Sequence, residues 1–590
     1  MLRCIQTAIL TVVLLEVAAA FVLSHVGNNV LRKQPRYSKR VNRDQNGTDY
    51  PPPCDSDIYC YGKLLHTVQM AHLVQDSKTF VDQKMLHPPD VVKQNFGTFI
   101  SATLGHPTKE QTRQFVEENF GQSGTELESW IPSDWTESPR FLEGIKDPDL
   151  RQYGKELNDI WKTLGRKINP EVRDNEDMFS LIYVPNPVMV PGGRFTEFYY
   201  WDQYWILKGL LICEMHISVR GMIENFLHMI SRYGYVPNGG RIYYSRSQPP
   251  MLIPMVKDYV DATGNWTFVR THLDTLDKEF RFWMTNRTID VLKDGRTFRF
   301  VRYNNELTGP RPESYREDFY LAETLHTKAE KDELFINLKS GAESGWDFSS
   351  RWFVSDEAFS AGNLKDIKAR DIIPVDLNAF IYNNAKVMAS FHRQFKFHES
   401  ANYYDDIASE WLHNINSVLW NDTRGCWFDY DVQKGELKTE FYPSNIFPLW
   451  ANVTIGNDKK YTASRVVEYL HSSGALRFPG GIPTSMEHSG EQWDFPNGWA
   501  PLQHLVVDAL DHAGYLPAQF LAVDLAERWV RNNYRAFRNS NNTMFEKYDV
   551  QSVGAPGGGG EYEVVVGFGW SNGVIIDFLS RYGEFLTGFV

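Results

Sequence analysis

Apolar positions recur along this chain with a helical period. Val219, Met222, Ile223, Phe226, Leu227 and Ile230 fall at i, i+3, i+4, i+7, i+8 and i+11, and Tyr404, Ile407, Ala408, Trp411, Leu412, Ile415 and Leu419 repeat the pattern. So do Leu502, Leu505, Val506, Ala509 and Leu510, closed by Gly514. Each run predicts an amphipathic helix with one apolar stripe, and such spacing dominates from about residue 62 onward. Alternating runs are few and short; RTFRFVRY (296–303) predicts a small hairpin element.

The polar segments between the stripes are long and rich in Gly, Pro, Trp, Arg and carboxylates: 188–201, 236–250, 308–317, 341–352, 479–501 and 541–570. Long loops inside a compact domain are usually functional. They recur from end to end of the chain, which fits a closed ring of helix pairs whose loops converge on one face. No fixed-period repeat supports an open solenoid. A length of 590 residues alone suggests roughly three or four domains, but no linker interrupts the chain, so 56–590 is read as one all-α domain.

Before it, MLRCIQTAILTVVLLEVAAA reads as a secretory signal peptide over 1–20, with Arg3 ahead of an apolar run and small residues before the cleavage point. Residues 21–55 form a polar, basic extension. Of the four cysteines beyond the signal, Cys54 and Cys60 lie close together in PPPCDSDIYC. An oxidising compartment favours a disulfide between them over a zinc pair, because no second ligand pair follows. Cys213 and Cys426, in apolar surroundings, are read as free buried thiols. Acceptor sequons at Asn46, Asn265, Asn286, Asn421, Asn452 and Asn541 fit a secreted, extracellular glycoprotein. The C-terminus, RYGEFLTGFV, carries no apolar span or lipid-anchor tail, so no stable membrane anchor is expected. A formal charge of −13 argues against a nucleic-acid partner.

The candidate chemistry sits in the loops. PGGRFTEFYYWDQYW (191–205) puts Arg194, Glu197 and Asp202 among aromatic rings, and EQWDFPNGWAP (491–501) has the same character. Rings beside directional polar groups suit a sugar, whose C–H faces lie on aromatics and whose hydroxyls demand paired donors and acceptors. Trp201, Trp346, Trp493 and Trp499 each flank a charged loop residue. Arg194, Arg246 (SRSQPP) and Arg311 (GPRPES) stand in such loops rather than on polar helix faces, where a guanidinium fork can grip vicinal hydroxyls or a carboxylate.

Glycosidic cleavage needs two carboxyl groups across the scissile bond. Spacing alone does not choose them among Asp202, Glu313, Glu343, Asp347, Glu491, Asp494, Glu546 and Glu561. The run 557–560 lacks the Lys-Ser/Thr of a phosphate loop and reads better as a mobile lid. No His-Glu-x-x-His or paired cysteine ligands suggest a metal, and no cofactor is expected.

At this point the chain resembles a known family. PGGRFTEFYYWDQY (191–204) and QWDFPNGWAP (492–501) look like the two diagnostic signatures of the α,α-trehalases, with SRSQPP, RPES, ESGWDFSSRW, EKY and GGGGEY following the family order. The stretch around PPPCDSDIYC is similar to that of animal, particularly insect, members. The resemblance spans roughly 60 to 580. It implies an (α/α)6 barrel and an inverting hydrolase splitting trehalose, its small-molecule partner, into two glucose molecules.

By motif, the resemblance makes Asp347 the general acid and Glu546 the general base. It makes Arg194, Arg246 and Arg311 glucose-subsite residues. Trp201, Asp202, Asn238, Ser247, Gln248, Pro312, Glu313 and Gly345 become substrate contacts, and Glu561 falls on the lid loop. An inverting mechanism requires room for a water beside the base. Burial by Trp346 and Phe348 is expected to keep Asp347 protonated, and Lys547 or a loop arginine to keep Glu546 ionised. Another inverting glucosidase on the same barrel, a catalytically silent sugar-binding protein and a structural glycoprotein are the competing readings.

Overall fold

Helices with one apolar stripe need a partner, and helices apolar on every side need burial all round. Both kinds occur here, in alternation. The computed structural model describes residues 42–43, 49–50, 54 and 56–587, except 356–357. The expected signal segment over 1–20, most of the 21–55 extension and Asn46 lie outside the described residues.

In chain order the twelve principal helices are α1 (Pro148–Leu164), α2 (Asp202–Ile212), α3 (His216–Tyr233), α4 (Leu252–Thr263), α5 (Trp266–Asn286) and α6 (Val375–Gln394). They continue with α7 (His398–Asn414), α8 (Phe447–Trp450), α9 (Lys459–Ser473), α10 (Ala500–Asp511), α11 (Leu516–Asn539) and α12 (Gly569–Tyr582). The even-numbered helices pack each on the next, and α12 returns onto α2, closing an inner ring. The odd-numbered helices form the outer layer. Burial separates the two layers: 15 of the 20 residues of α6 and 12 of the 14 of α12 are buried, against 7 of the 21 of α5 and 6 of the 17 of α7. The fold is an (α/α)6 barrel.

The ring closes where glycines let backbones meet. A Cβ on Gly573 of α12 would stand 2.1 Å from the Trp205 carbonyl oxygen of α2, and one on Gly209 would stand 2.7 Å from the Gly573 Cα. Three of the outer helices begin at side-chain caps: Asp147 accepts from Asp149 N and Leu150 N ahead of α1, Asn265 accepts from Phe268 N at the start of α5, and Asp458 accepts from Tyr461 N at the start of α9.

The strands are small. Arg296–Val301 pairs antiparallel with Thr288–Lys293 through an Asp294-Gly295 turn, both residues at positive φ, as a tight hairpin requires. Asn497–Trp499 pairs with Lys547–Asp549 in the register Gly498↔Tyr548 and Trp499↔Lys547. That short ladder brings the 491–501 motif against the EKY segment.

An N-terminal block spanning Gly62–Met70 to Lys109–Asn119 builds its own apolar cluster from Leu65, Val68, Phe80 and Phe115. Tyr243 and Tyr315, from two of the long loops, join that cluster. The Cys54–Cys60 disulfide begins the block, with Cα atoms 5.7 Å apart. Cys213 and Cys426 are free and buried.

Of the sequon asparagines described, Asn286, Asn452 and Asn541 are exposed, while Asn265 and Asn421 are partly buried. One loop is shorter than the sequence suggests. The segment expected over 341–352 begins with the last turn of a helix, Lys328–Glu343, whose residues from Leu334 onward are all buried. No helix among the described residues is long and apolar enough to cross a membrane.

Candidate active site

The inner helices start on one end of the ring, and the loops feeding them carry the polar residues. Asp202 is the first residue of α2, Trp499 directly precedes α10, and Phe568 directly precedes α12. At this end a cavity of about 750 Å³ of atom-free space, counted to its mouth, is lined by Arg194, Trp201, Asp202, Asn238, Arg246, Gln248, Arg311, Glu313, Gly345, Asp347, Glu546 and Glu561.

Asp347 lies four residues beyond the helix Lys328–Glu343, after a turn through Gly345 at φ +75°. A Cβ there would meet the Trp201 indole at 2.6 Å, so only glycine lets the turn pass the ring. The loop is then pinned from the other motif. Gln492 Nε2 donates to the Asp347 carbonyl at 2.5 Å and Trp493 N donates to the Phe348 carbonyl at 3.0 Å. Asp494 accepts from Ser350 N at 2.6 Å and from the Ser349 hydroxyl at 3.0 Å. Behind it, Arg351 is fully buried and forked onto both Asp376 and Asp429. Trp346 and Phe348 are each 1% exposed. Burial pushes the Asp347 carboxyl up to about 7, with Arg311 opposing and Glu561 adding to the shift.

Glu546 is held from three sides. Its Oε1 accepts from the Tyr562 hydroxyl at 2.9 Å, its carbonyl accepts from Trp570 Nε1 at 3.0 Å, and its amide donates to Val565 O at 3.0 Å. Oε2 is buried with no hydrogen-bonded partner among the described residues, and Lys547 Nζ stands 3.6 Å away. Burial raises the carboxyl above its ordinary range, while Lys547, Tyr562 and Arg194 pull it back. Asp202 is also raised, mainly by burial and further by the charges of Glu546 and Asp347.

The three arginines differ. Arg194 pairs with Asp76 of the N-terminal block at 2.8 Å and lies 4.5 Å above the Tyr562 ring. Arg311 forks onto Asp318 and reaches Glu561 Oε1 at 2.8 Å. Arg246, 1% exposed, pairs with Glu313 through Nη2, and its Nε and Nη1 are buried without partners among the described residues. Of the four tryptophans singled out, Trp493 and Trp499 stack with centroids 3.8 Å apart, and Trp201 lies 5.8 Å from Trp493. Trp346 stacks behind Trp493 at 5.5 Å, outside the cavity lining.

A trehalase family model matches residues 72–583. The chain belongs to the trehalase family. A trehalase of Apis mellifera is 51% identical over 538 residues, covering 91% of this chain and 86% of its own length. The human trehalase is 46% identical over 539 residues, covering 91% of each. Among solved structures, neutral trehalase Nth1 of Saccharomyces cerevisiae matches with a TM-score of 0.54 at 25% identity, over 68% of this chain and 75% of its own.

Two residues carried over from the family motifs do not line the cavity. Ser247 is fully buried, donating its amide to Glu343 Oε1 at 2.9 Å and its hydroxyl to the Val236 carbonyl at 2.7 Å. Pro312 opens a buried 3₁₀ turn. Both shape the turns that aim Arg246 and Arg311. Glu343, a candidate carboxylate in the sequence, is likewise consumed by Ser247 and a fork from Arg287.

In the other direction, Lys78, Tyr199, Tyr562, Phe568 and Trp570 line the cavity but were not singled out. Tyr199 and Tyr562 lie inside quoted motifs. Lys78 has no sequence signal: it comes from the N-terminal block and is buried against Glu197 and Asp82. The glycine-rich segment is tied down, with Gly557 N donating to Lys547 O, Gly558 N to Asn497 Oδ1 and Gly560 N to Gly490 O. Among the described residues no cluster of His, Cys, Asp and Glu is arranged to hold a metal ion.

Proposed function

We propose that this chain hydrolyses the α-1,1 bond of trehalose, releasing two glucose molecules with inversion at the attacked carbon. The observation that carries the reading is the placement of Asp347 and Glu546 on one cavity in different electrostatic settings. Asp347, neutral through burial up to about pH 7, donates its proton to the glycosidic oxygen as the C–O bond breaks. Glu546, with Lys547 and Tyr562 favouring its ionised form, takes a proton from the water that bonds to the anomeric carbon. Oε2, which has no hydrogen-bonded partner among the described residues and Lys547 Nζ 3.6 Å away, is the oxygen that receives it.

The remaining residues sort by geometry. The open N–H groups of Arg246 and the amides of Asn238 and Gln248 supply directional contacts to hydroxyls, beside Arg311 and Arg194, whose forks are held by Asp318 and Asp76. Trp201, Trp493 and Trp499 supply apolar faces. Ser247 and Pro312 act by holding the loops. Glucose release from trehalose by the purified protein, with maltose and sucrose in parallel, tests this. Release from trehalose alone is expected, and release mainly from another disaccharide overturns the substrate assignment.

The same reading makes 1–20 a cleaved signal peptide, 21–55 a basic extension and 56–590 one catalytic domain of a secreted glycoprotein. The Cys54–Cys60 disulfide supports an oxidising compartment. Exposure favours glycans on Asn286, Asn452 and Asn541. Asn265 is the poorest candidate, because its carboxamide caps α5 and lies 3.3 Å from the Tyr259 hydroxyl.

A further inference from the structure

We infer that Tyr562 is a positioning residue that selects the working oxygen of the base; the inference rests on Glu546 being that base. A carboxylate has two oxygens, and a base that must meet one water from one direction gains from having the other oxygen occupied. Here the Tyr562 hydroxyl donates to Oε1 at 2.9 Å, and Oε2 is left buried with no hydrogen-bonded partner among the described residues.

The tyrosine is itself fixed. Its ring lies 4.5 Å beneath the Arg194 guanidinium, 5.5 Å from Phe195 edge to face, and 5.2 Å from Lys547 Nζ. Its chain neighbour Glu561 reaches the opposite wall, accepting from Arg311 at 2.8 Å and from the Ser314 hydroxyl at 3.3 Å. Two adjacent residues at the end of the glycine-rich segment therefore grip the base on one side and a sugar-binding arginine on the other. The base is complete only when this segment lies in place.

The charged and titratable groups facing Glu546 are Lys547, Arg194, Tyr562 and Asp202. Removing the hydroxyl takes away one hydrogen bond to the ionised form and leaves the others. The test is the steady-state pH profile of Tyr562→Phe on trehalose beside Glu546→Gln, with the fold of each variant followed by circular dichroism and thermal unfolding. For Tyr562→Phe, kcat is expected to fall about 10- to 100-fold, as for loss of one charge-assisted hydrogen bond, with KM within about twofold. The acidic limb of kcat/KM is expected to move up by about one pH unit.

An inactive Glu546→Gln beside a Tyr562→Phe with wild-type kcat and an unmoved limb overturns the positioning role alone. A Tyr562→Phe that raises KM at unchanged kcat also overturns it, making the tyrosine a substrate contact. A Glu546→Gln with near-normal turnover overturns the base assignment itself. If Tyr562→Phe fails to fold, Phe195→Leu, which removes the edge-to-face contact holding the tyrosine ring and carries no charge of its own, is expected to move the same limb in the same direction; an unmoved limb there overturns the role.

Discussion

Lys547 Nζ lies 2.9 Å from the side-chain oxygen of Gln492. The nitrogen of the same amide donates to the Asp347 carbonyl. One glutamine thus joins the residue after the proposed base to the backbone of the proposed acid, across the short ladder that pairs Trp499 with Lys547. The 491–501 motif contributes neither of the carboxylates proposed to do the chemistry; Gln492 bridges the segments that carry them, while Trp493 and Trp499 line the cavity.

Replacing Gln492 by Ala therefore removes this bridge and leaves both carboxyls and their other loop contacts present. We expect kcat to fall about 10- to 100-fold, the scale set by small misplacements of reacting groups, with a smaller change in KM. Steady-state kinetics on trehalose, with circular dichroism to confirm folding, check this.

Asp347 must be protonated to act as an acid, so kcat/KM should decline as pH rises through about 7. Asp347→Asn should lose at least about 10²-fold in turnover. Stability moves the other way. A carboxyl whose folded value lies above its unfolded one stabilises the fold at low pH, and that contribution is lost as pH rises through the folded value. The asparagine variant lacks this loss, so its thermal midpoint should exceed that of the parent protein above pH 7 and converge with it near pH 4.

Glu343 is close to Asp347 in sequence and opposite in role. It accepts from Arg287 through both oxygens and from Ser247 N, all out of solvent. Glu343→Ala removes the carboxylate that the buried Arg287 fork meets, a change worth about 3–5 kcal/mol. Chemical denaturation should show that loss.

Arg246 presents two buried N–H groups that no described protein atom satisfies. Lysine keeps the charge and loses the fork. Arg246→Lys should cost about 1.5–3 kcal/mol in kcat/KM for trehalose, roughly one to two powers of ten, with little change in stability. Kinetics on trehalose measure the first and thermal unfolding the second.

Periodicity found the outer helices α3 and α7 because one side of each faces solvent, and it also found the inner helix α10, although ten of its twelve residues are buried. It found α2 poorly, because a helix buried on every side carries no stripe: eight of its eleven residues are buried, Asp202 and Gln203 among them. The proposed catalytic pair lay among eight loop carboxylates that composition could not rank, and only motif resemblance chose between them. What separates Asp347 from Glu343 is which side of the Gly345 turn each falls on, a matter of backbone direction. Lys78 was illegible because its place in the cavity depends on the N-terminal block docking over the loops, a contact between segments more than 100 residues apart.

The central claim is an inverting hydrolysis, and the anomers of the products test it most directly. Inversion at one carbon of trehalose gives β-glucose from the attacked ring and α-glucose from the leaving ring. Proton NMR of the earliest products, recorded before mutarotation, should show the two anomers in equal amounts. α-Glucose alone would mean retention through a covalent intermediate and would contradict the assignment of Glu546 as a base acting on water.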